Sequence, residues 1–181
     1  MFAGLKRSAA PASARPAPHY WNMPIDDIEQ QLGVTAAGLD AGDPAPLLAA
    51  ARVADLAGQP ADVAWGFVRS ATTRAPASGW AWASLGDLAR SRGQLNEAIQ
   101  AYRTGMRVDP LYSGNYASLS SVQAAQGQPA AALATLQEGL RLAPNTPALL
   151  VNQGNLLRRQ GQAAAAGRAY QAAIAADAGN A

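Results

Sequence analysis

Between residues 46 and 177 the chain alternates helix-compatible stretches of about a dozen residues, in which large apolar, small and polar positions interleave, with short breaks. The breaks are of two kinds. Gly-Gln pairs stand at 93–94, 127–128 and 161–162, and prolines at 76, 110 and 144, so both series step by 34 residues. Glycine can adopt the left-handed conformation that ends a helix at little steric cost. Proline cannot continue a helix without losing a hydrogen bond and clashing with the preceding turn. A further pair, Gly58-Gln59, falls one residue off the step. Alternating these stops predicts helices over 46–57 and 60–74, 79–92 and 95–108, 113–126 and 129–142, then 147–160 and 163–177, with Pro60, Pro129 and Pro147 in first turns.

Side-chain size repeats in the same register. Trp82, Tyr116 and Leu150 are 34 residues apart, as are Ala98, Ala132 and Ala166, and Tyr102, Leu136 and Tyr170; Gly86 and Gly154 are two periods apart. Small residues at one position and bulky ones at another are what two crossing antiparallel helices require. Gly86 and Ala98 are the expected crossing point, with Trp82, Leu85 and Tyr102 filling the space around it.

The segment WASLGDLARSRGQLNEAIQAYRTGMRVDP at 82–110 resembles the tetratricopeptide repeat, matching its pattern at Trp82, Leu85, Gly86, Ala98, Tyr102 and Pro110. The copy at 113–146 puts Ser120 in the small-residue position, and the copy at 147–180 departs at Gln153, Gly167 and Ala178. A divergent copy over 45–78 keeps Ala64, Val68 and Pro76 in register. The resemblance implies an all-α fold, an α-solenoid of three clear repeats (79–112, 113–146, 147–180) and one divergent repeat, in which each hairpin buries its apolar side on its neighbour.

Composition narrows the function. Apolar residues make up 49% of the 181, much of that alanine, and charged residues 14%. No apolar run approaches the ~20 residues of a membrane-spanning helix. Residues 1–18 have no secretory-type apolar core, so cytoplasm is the expected location. An organelle presequence is the alternative for this acid-free, Arg-bearing segment, against which Pro11, Pro16 and Pro18 stand as breakers of its amphipathic helix. Ala- and Arg-rich, Lys-poor usage resembles that of high-GC bacteria. The chain has no cysteine and a single histidine, His19, so disulfides, thiol catalysis, cysteine-zinc sites and a His-based triad are excluded. There is no phosphate-binding Gly-x4-Gly-Lys motif, and Asp26, Asp27 and Glu29 read as a helix start rather than as acid-base groups. The expectation is a protein that is not an enzyme and holds no cofactor or metal.

Charge is unevenly placed. Residues 26–62 carry seven acids against Arg52, whereas residues from 63 onward carry ten arginines against five acids. Two solvated surfaces would give this pattern, as would a basic array attracting an acidic ligand, including the chain's own N-terminal segment.

The resemblance further implies that the first helices of successive repeats line a groove that receives a partner polypeptide. On that basis Trp80, Asp87, Arg90, Asn152, Asn155, Arg158 and Arg159 are the partner-binding candidates on the array. Asparagine can bracket a peptide backbone and arginine can grip a carboxylate. A chaperone-type carboxylate clamp fits poorly, because the middle repeat offers Ser121 and Ala117 where asparagine is expected. Trp80 cannot share a packed helix face with Trp82, so it either rims the groove or packs on Trp65 or Phe67.

Residues 1–24 read as a disordered, basic, Pro/Ala-rich tail ending in Tyr20 and Trp21, either a linear motif for a partner or a cap folded onto the array. Residues 25–44 read as a short acidic helix, IDDIEQQL, and a linker; Ile25, Ile28 and Leu32 would face the first repeat. The small-residue helix at the far end exposes a flat surface, so repeat 147–180 either frays first or is held by a partner or a second copy. The functional expectation is an adaptor or scaffold in assembly of a bacterial pilus, secretion or polysaccharide-export machine. The alternative is an accessory subunit of a larger complex bound through its tail and convex face. A nucleic-acid role ranks below both, since the arginines are spread along the array.

Overall fold

The computed structural model describes residues 43–56 and 61–178, and over them the chain is a row of helices: α1 (Ala45–Leu56), α2 (Ala61–Arg74), α3 (Gly79–Ser91), α4 (Leu95–Val108), α5 (Ser113–Ala125), α6 (Pro129–Leu142), α7 (Pro147–Arg159) and α8 (Ala163–Ala178). No strand occurs among the described residues. The expectations for residues 1–24, Tyr20 and Trp21 among them, for the helix at 25–32, and for Gly58-Gln59 and Pro60 lie outside the described residues.

The Gly-Gln pairs work through their backbones. Gly93, Gly127 and Gly161 have φ of +75°, +72° and +75°. Each glycine N–H returns to the carbonyl three residues back and each glutamine N–H to the carbonyl five back, as in Gly93 N to Arg90 O (3.0 Å) and Gln94 N to Ala89 O (2.9 Å). Those bonds satisfy carbonyls that the helix end leaves without partners. Each glutamine carbonyl then accepts the first bond of the following helix, from Ala98, Ala132 or Ala166 at 3.0 Å. The side chains of Gln94 and Gln128 make no cap bond. Pro129 and Pro147 open α6 and α7, where no N–H is needed. Ser78 caps α3 by accepting from Ala81 N at 3.3 Å.

Packing follows a repeating rule. Sequential helices pair as hairpins, and the first helix of each later hairpin also packs on the next first helix, α3 on α5 and α5 on α7. Each apolar cluster unites a hairpin with the helix that follows it. Leu47, Val68 and Leu88 join α1, α2 and α3. Ala98, Tyr102 and Leu119 belong to the second cluster, and Tyr116, Leu136 and Leu149 to the third. Tyr102 and Leu136 are fully buried, and each such side chain contributes about 1.5–3 kcal/mol. A Cβ on Gly86 would lie 2.6 Å from Tyr102 Cδ1, and one on Gly154 2.7 Å from Tyr170 Cδ1, so glycine marks the crossing in both repeats.

Two details depart from expectation. Trp82 does not fill the crossing: it is half-buried, and its Nε1 donates to Pro76 O at 2.9 Å, tying α3 to the preceding loop. Asn115 is fully buried in the register position that Leu149 occupies one repeat later. Its Nδ2 donates to Gly79 O at 2.9 Å, while Asp109 Oδ2 accepts from Gly79 N at 3.2 Å, so the start of α3 is clasped by the loop and helix that follow its hairpin. At the far end α8 buries only Ala166, Ala169 and Ala173 and leaves Ile174 70% exposed.

Candidate partner-binding surface

Side-by-side packing of α3, α5 and α7 brings the candidate positions to one inner surface, and the surface carries two separate clefts. The first, about 310 Å³, lies between α5 and α7. Asn152, Asn155 and Arg159 line it from α7, and Ser120, Ser121, Ala124 and Ala125 from α5. The second, about 330 Å³, lies between α1 and α3 and includes Asp87, Arg90, Arg52, Asp55 and Leu56. The candidates therefore do not form one site. Asn152, Asn155 and Arg159 converge, whereas Asp87 and Arg90 line the other cleft. Trp80, 41% exposed, and the exposed Arg158 line neither.

Hydrogen bonds decide what each cleft can offer. In the first, Ser120 and Ser121 both donate to Ala117 O, at 2.8 and 2.9 Å, so their protons are spent within their own helix. Tyr170 Oη donates to Asn155 Oδ1 at 2.9 Å. With that acceptor engaged, Asn155 presents its amide hydrogens, and Arg159 adds guanidinium donors without any acceptor. Neither α5 nor α7 contains an acidic residue. The cleft is thus rich in donors and positively charged.

Two repeats earlier the same pairing holds a carboxylate in place of the amide. Tyr102 Oη donates to Asp87 Oδ1 at 2.8 Å, and the same oxygen accepts from Arg90 at 3.3 Å and from Ser118 Oγ at 3.4 Å. Burial first, and then the neighbouring Asp87 carboxylate, push the Tyr102 phenol up to about 12. Asp87 is consequently committed to the scaffold. The two pairs share an offset of 15 residues, Asp87 to Tyr102 and Asn155 to Tyr170, and that recurrence is visible in the sequence. The middle repeat has Leu136 in place of the tyrosine and makes no such bond.

Residues missed by sequence reasoning include Arg52 and Leu56 at the α1/α3 cleft and Tyr170 as the group that orients Asn155. Arg92 also joins the first two hairpins, its guanidinium lying 5.5 Å from the Trp65 ring centre and 3.9 Å from Asp55 Oδ1. Among the described residues no cluster of three or more His, Asp or Glu side chains could hold a metal ion, and no helix is long and apolar enough to cross a membrane.

Residues 81–110 match the family model of the tetratricopeptide repeat. Among solved structures the chain is similar to TTC0263, a thermophilic tetratricopeptide-repeat protein of Thermus thermophilus (22% identity, 83% of this chain and 79% of that one, TM-score 0.64). It is also similar to pilF of Pseudomonas aeruginosa (22%, 83% and 69%, TM-score 0.64) and to MamA (15%, 86% and 88%, TM-score 0.61). No curated protein matches by sequence.

Proposed function

We propose that this chain, built on the tetratricopeptide-repeat fold, is a non-catalytic adaptor that holds an acceptor-rich, acidic segment of a partner polypeptide in the α5/α7 cleft. The observation that carries the reading is the Tyr170–Asn155 bond, which occupies the asparagine's acceptor and leaves donors facing the cleft beside Arg159. A carboxylate or a run of backbone carbonyls satisfies such donors; a cationic segment leaves them unpaired at a cost of about 1–3 kcal/mol per buried group. Arginine adds two-point recognition of a carboxylate. The pathway we favour is assembly of a bacterial pilus, secretion or polysaccharide-export machine, with the adaptor acting in the cytoplasm; the resemblance to pilF and the Ala- and Arg-rich composition support it.

The test is co-purification of the partner from the native host, mapping of the bound segment, and calorimetric titration of that segment. The double variant Asn152→Ala/Arg159→Ala should bind at least ~10-fold more weakly, about 1.4 kcal/mol. Arg158→Ala, outside the cleft, should bind as wild type. Binding that survives the double variant and vanishes on removal of residues 1–24 would instead identify an accessory subunit bound through its tail.

A further inference from the structure

The stacking of first helices is interrupted at one place. The backbones of α3 and α5, and of α5 and α7, approach closely, but α1 and α3 do not approach to the same degree. The α1/α3 cleft opens there over apolar side chains, Leu48, Ala51, Val68 and Leu88, and at its rim Leu56 is 63% exposed. Its charges are unevenly matched. Asp55 faces Arg92 and Asp87 is engaged by Tyr102 and Arg90, whereas Arg52 has no ionic or hydrogen-bond partner among the described residues. A cleft with an apolar floor and one unmatched cation at its rim suits a short amphipathic segment bearing carboxylates.

We propose that residues 25–32 of this same chain, IDDIEQQL, seat in the α1/α3 cleft as an intramolecular cap. Ile25, Ile28 and Leu32 follow helical spacing and supply the apolar face, and Asp26, Asp27 and Glu29 supply carboxylates for Arg52. Chain length permits it. Residues 33–44 can span about 40 Å when extended, and α1, a 12-residue helix, is about 18 Å long. The segment can therefore return along α1 from the point where α1 begins. A seated segment covers the Asp87 and Arg90 side of the inner surface, which leaves the α5/α7 cleft as the open one. The inference is independent of what binds in that second cleft.

The absence of cysteine makes the test clean. In the full chain, Gln31→Cys with Ser91→Cys places one thiol beside the segment's apolar face and the other at the cleft, where Ser91 is exposed. Gln31→Cys with Ile174→Cys, on exposed α8, is the control pair. Under mild oxidation in dilute solution, the 31/91 pair should form a monomeric disulfide at least 10-fold faster than 31/174. Adding Ile28→Asp should abolish that advantage, with unchanged circular dichroism. Equal rates for the two pairs would overturn the proposal. So would a 31/91 disulfide found only in dimers, which would place a second copy's segment in the cleft.

Discussion

The Tyr170 hydroxyl lies 2.9 Å from Asn155 Oδ1, in the same register as the 2.8 Å bond from Tyr102 to Asp87. In these two hairpins one side chain of the second helix thus fixes a groove residue on the first, an amide in one and a carboxylate in the other. Tyr170→Phe keeps the ring over Gly154 and deletes only the bond. The partner segment should then bind several-fold more weakly, on the order of 1 kcal/mol, with the helical content intact. Unchanged affinity would show that Asn155 needs no orienting partner.

The glycines supply an internal comparison. Gly86→Ala should destabilise by about 1–3 kcal/mol, because its methyl would collide with the ring of the fully buried Tyr102. Gly167→Ala, with nothing within 4 Å of the new methyl, should stabilise α8 by roughly 0.8–1 kcal/mol. Denaturant titrations of the two variants should move in opposite directions.

Tyr102 gives a pH dependence with a defined sign. Its folded-state pKa, about 12, stands above the ordinary value of 10.0, so folding favours the neutral phenol. That contribution is complete below pH ~10 and is lost as pH rises toward ~12. Burial raises Tyr112 and Tyr116 in the same direction. Tyr102→Phe should be less stable than wild type at pH 8 by about 1 kcal/mol, and the gap should narrow between pH 10 and pH 12. Parallel melting curves across that range would contradict the assignment.

Ionic strength offers a fourth check. Arg159 is exposed, so its attraction to an acidic segment is screened by salt, with a Debye length near 10 Å at 0.1 M falling to about 3 Å at 1 M. Affinity for the partner segment should fall several-fold between those conditions. A salt-independent affinity measured by calorimetry would point to apolar contact instead.

Much of this molecule could be read before its structure. The predicted helices agree with the observed ones to within a residue at each described end, because glycine and proline act through local backbone geometry. Gly86 was readable for a related reason: a residue without a side chain, opposite a bulky one in constant register, reports a close crossing. Distances between helices far apart in sequence were not readable. Periodicity gives the face of α3 that carries Asp87 and Arg90, yet whether that face meets the α7 residues depends on the volumes packed between them. Asn115 shows the same limit. Its type suggests surface, but it is buried because Gly105 leaves room for its amide between hairpins and Gly79 O accepts from that amide. The Asp87–Tyr102 and Asn155–Tyr170 offsets, with the arginine excess beyond residue 63, were the readable signs of the site's polarity.

The left-handed hinges bear on how such a chain can change length over generations. One residue inserted within α3 or α4 would rotate everything beyond it by about 100° and swing Tyr102 off Gly86. An insertion in a turn leaves every helix face where it was, and so does duplication of a whole unit. Lineages descended from this molecule should therefore differ in the number of hairpins and in the loops joining them, while the interior of each hairpin keeps its residue count.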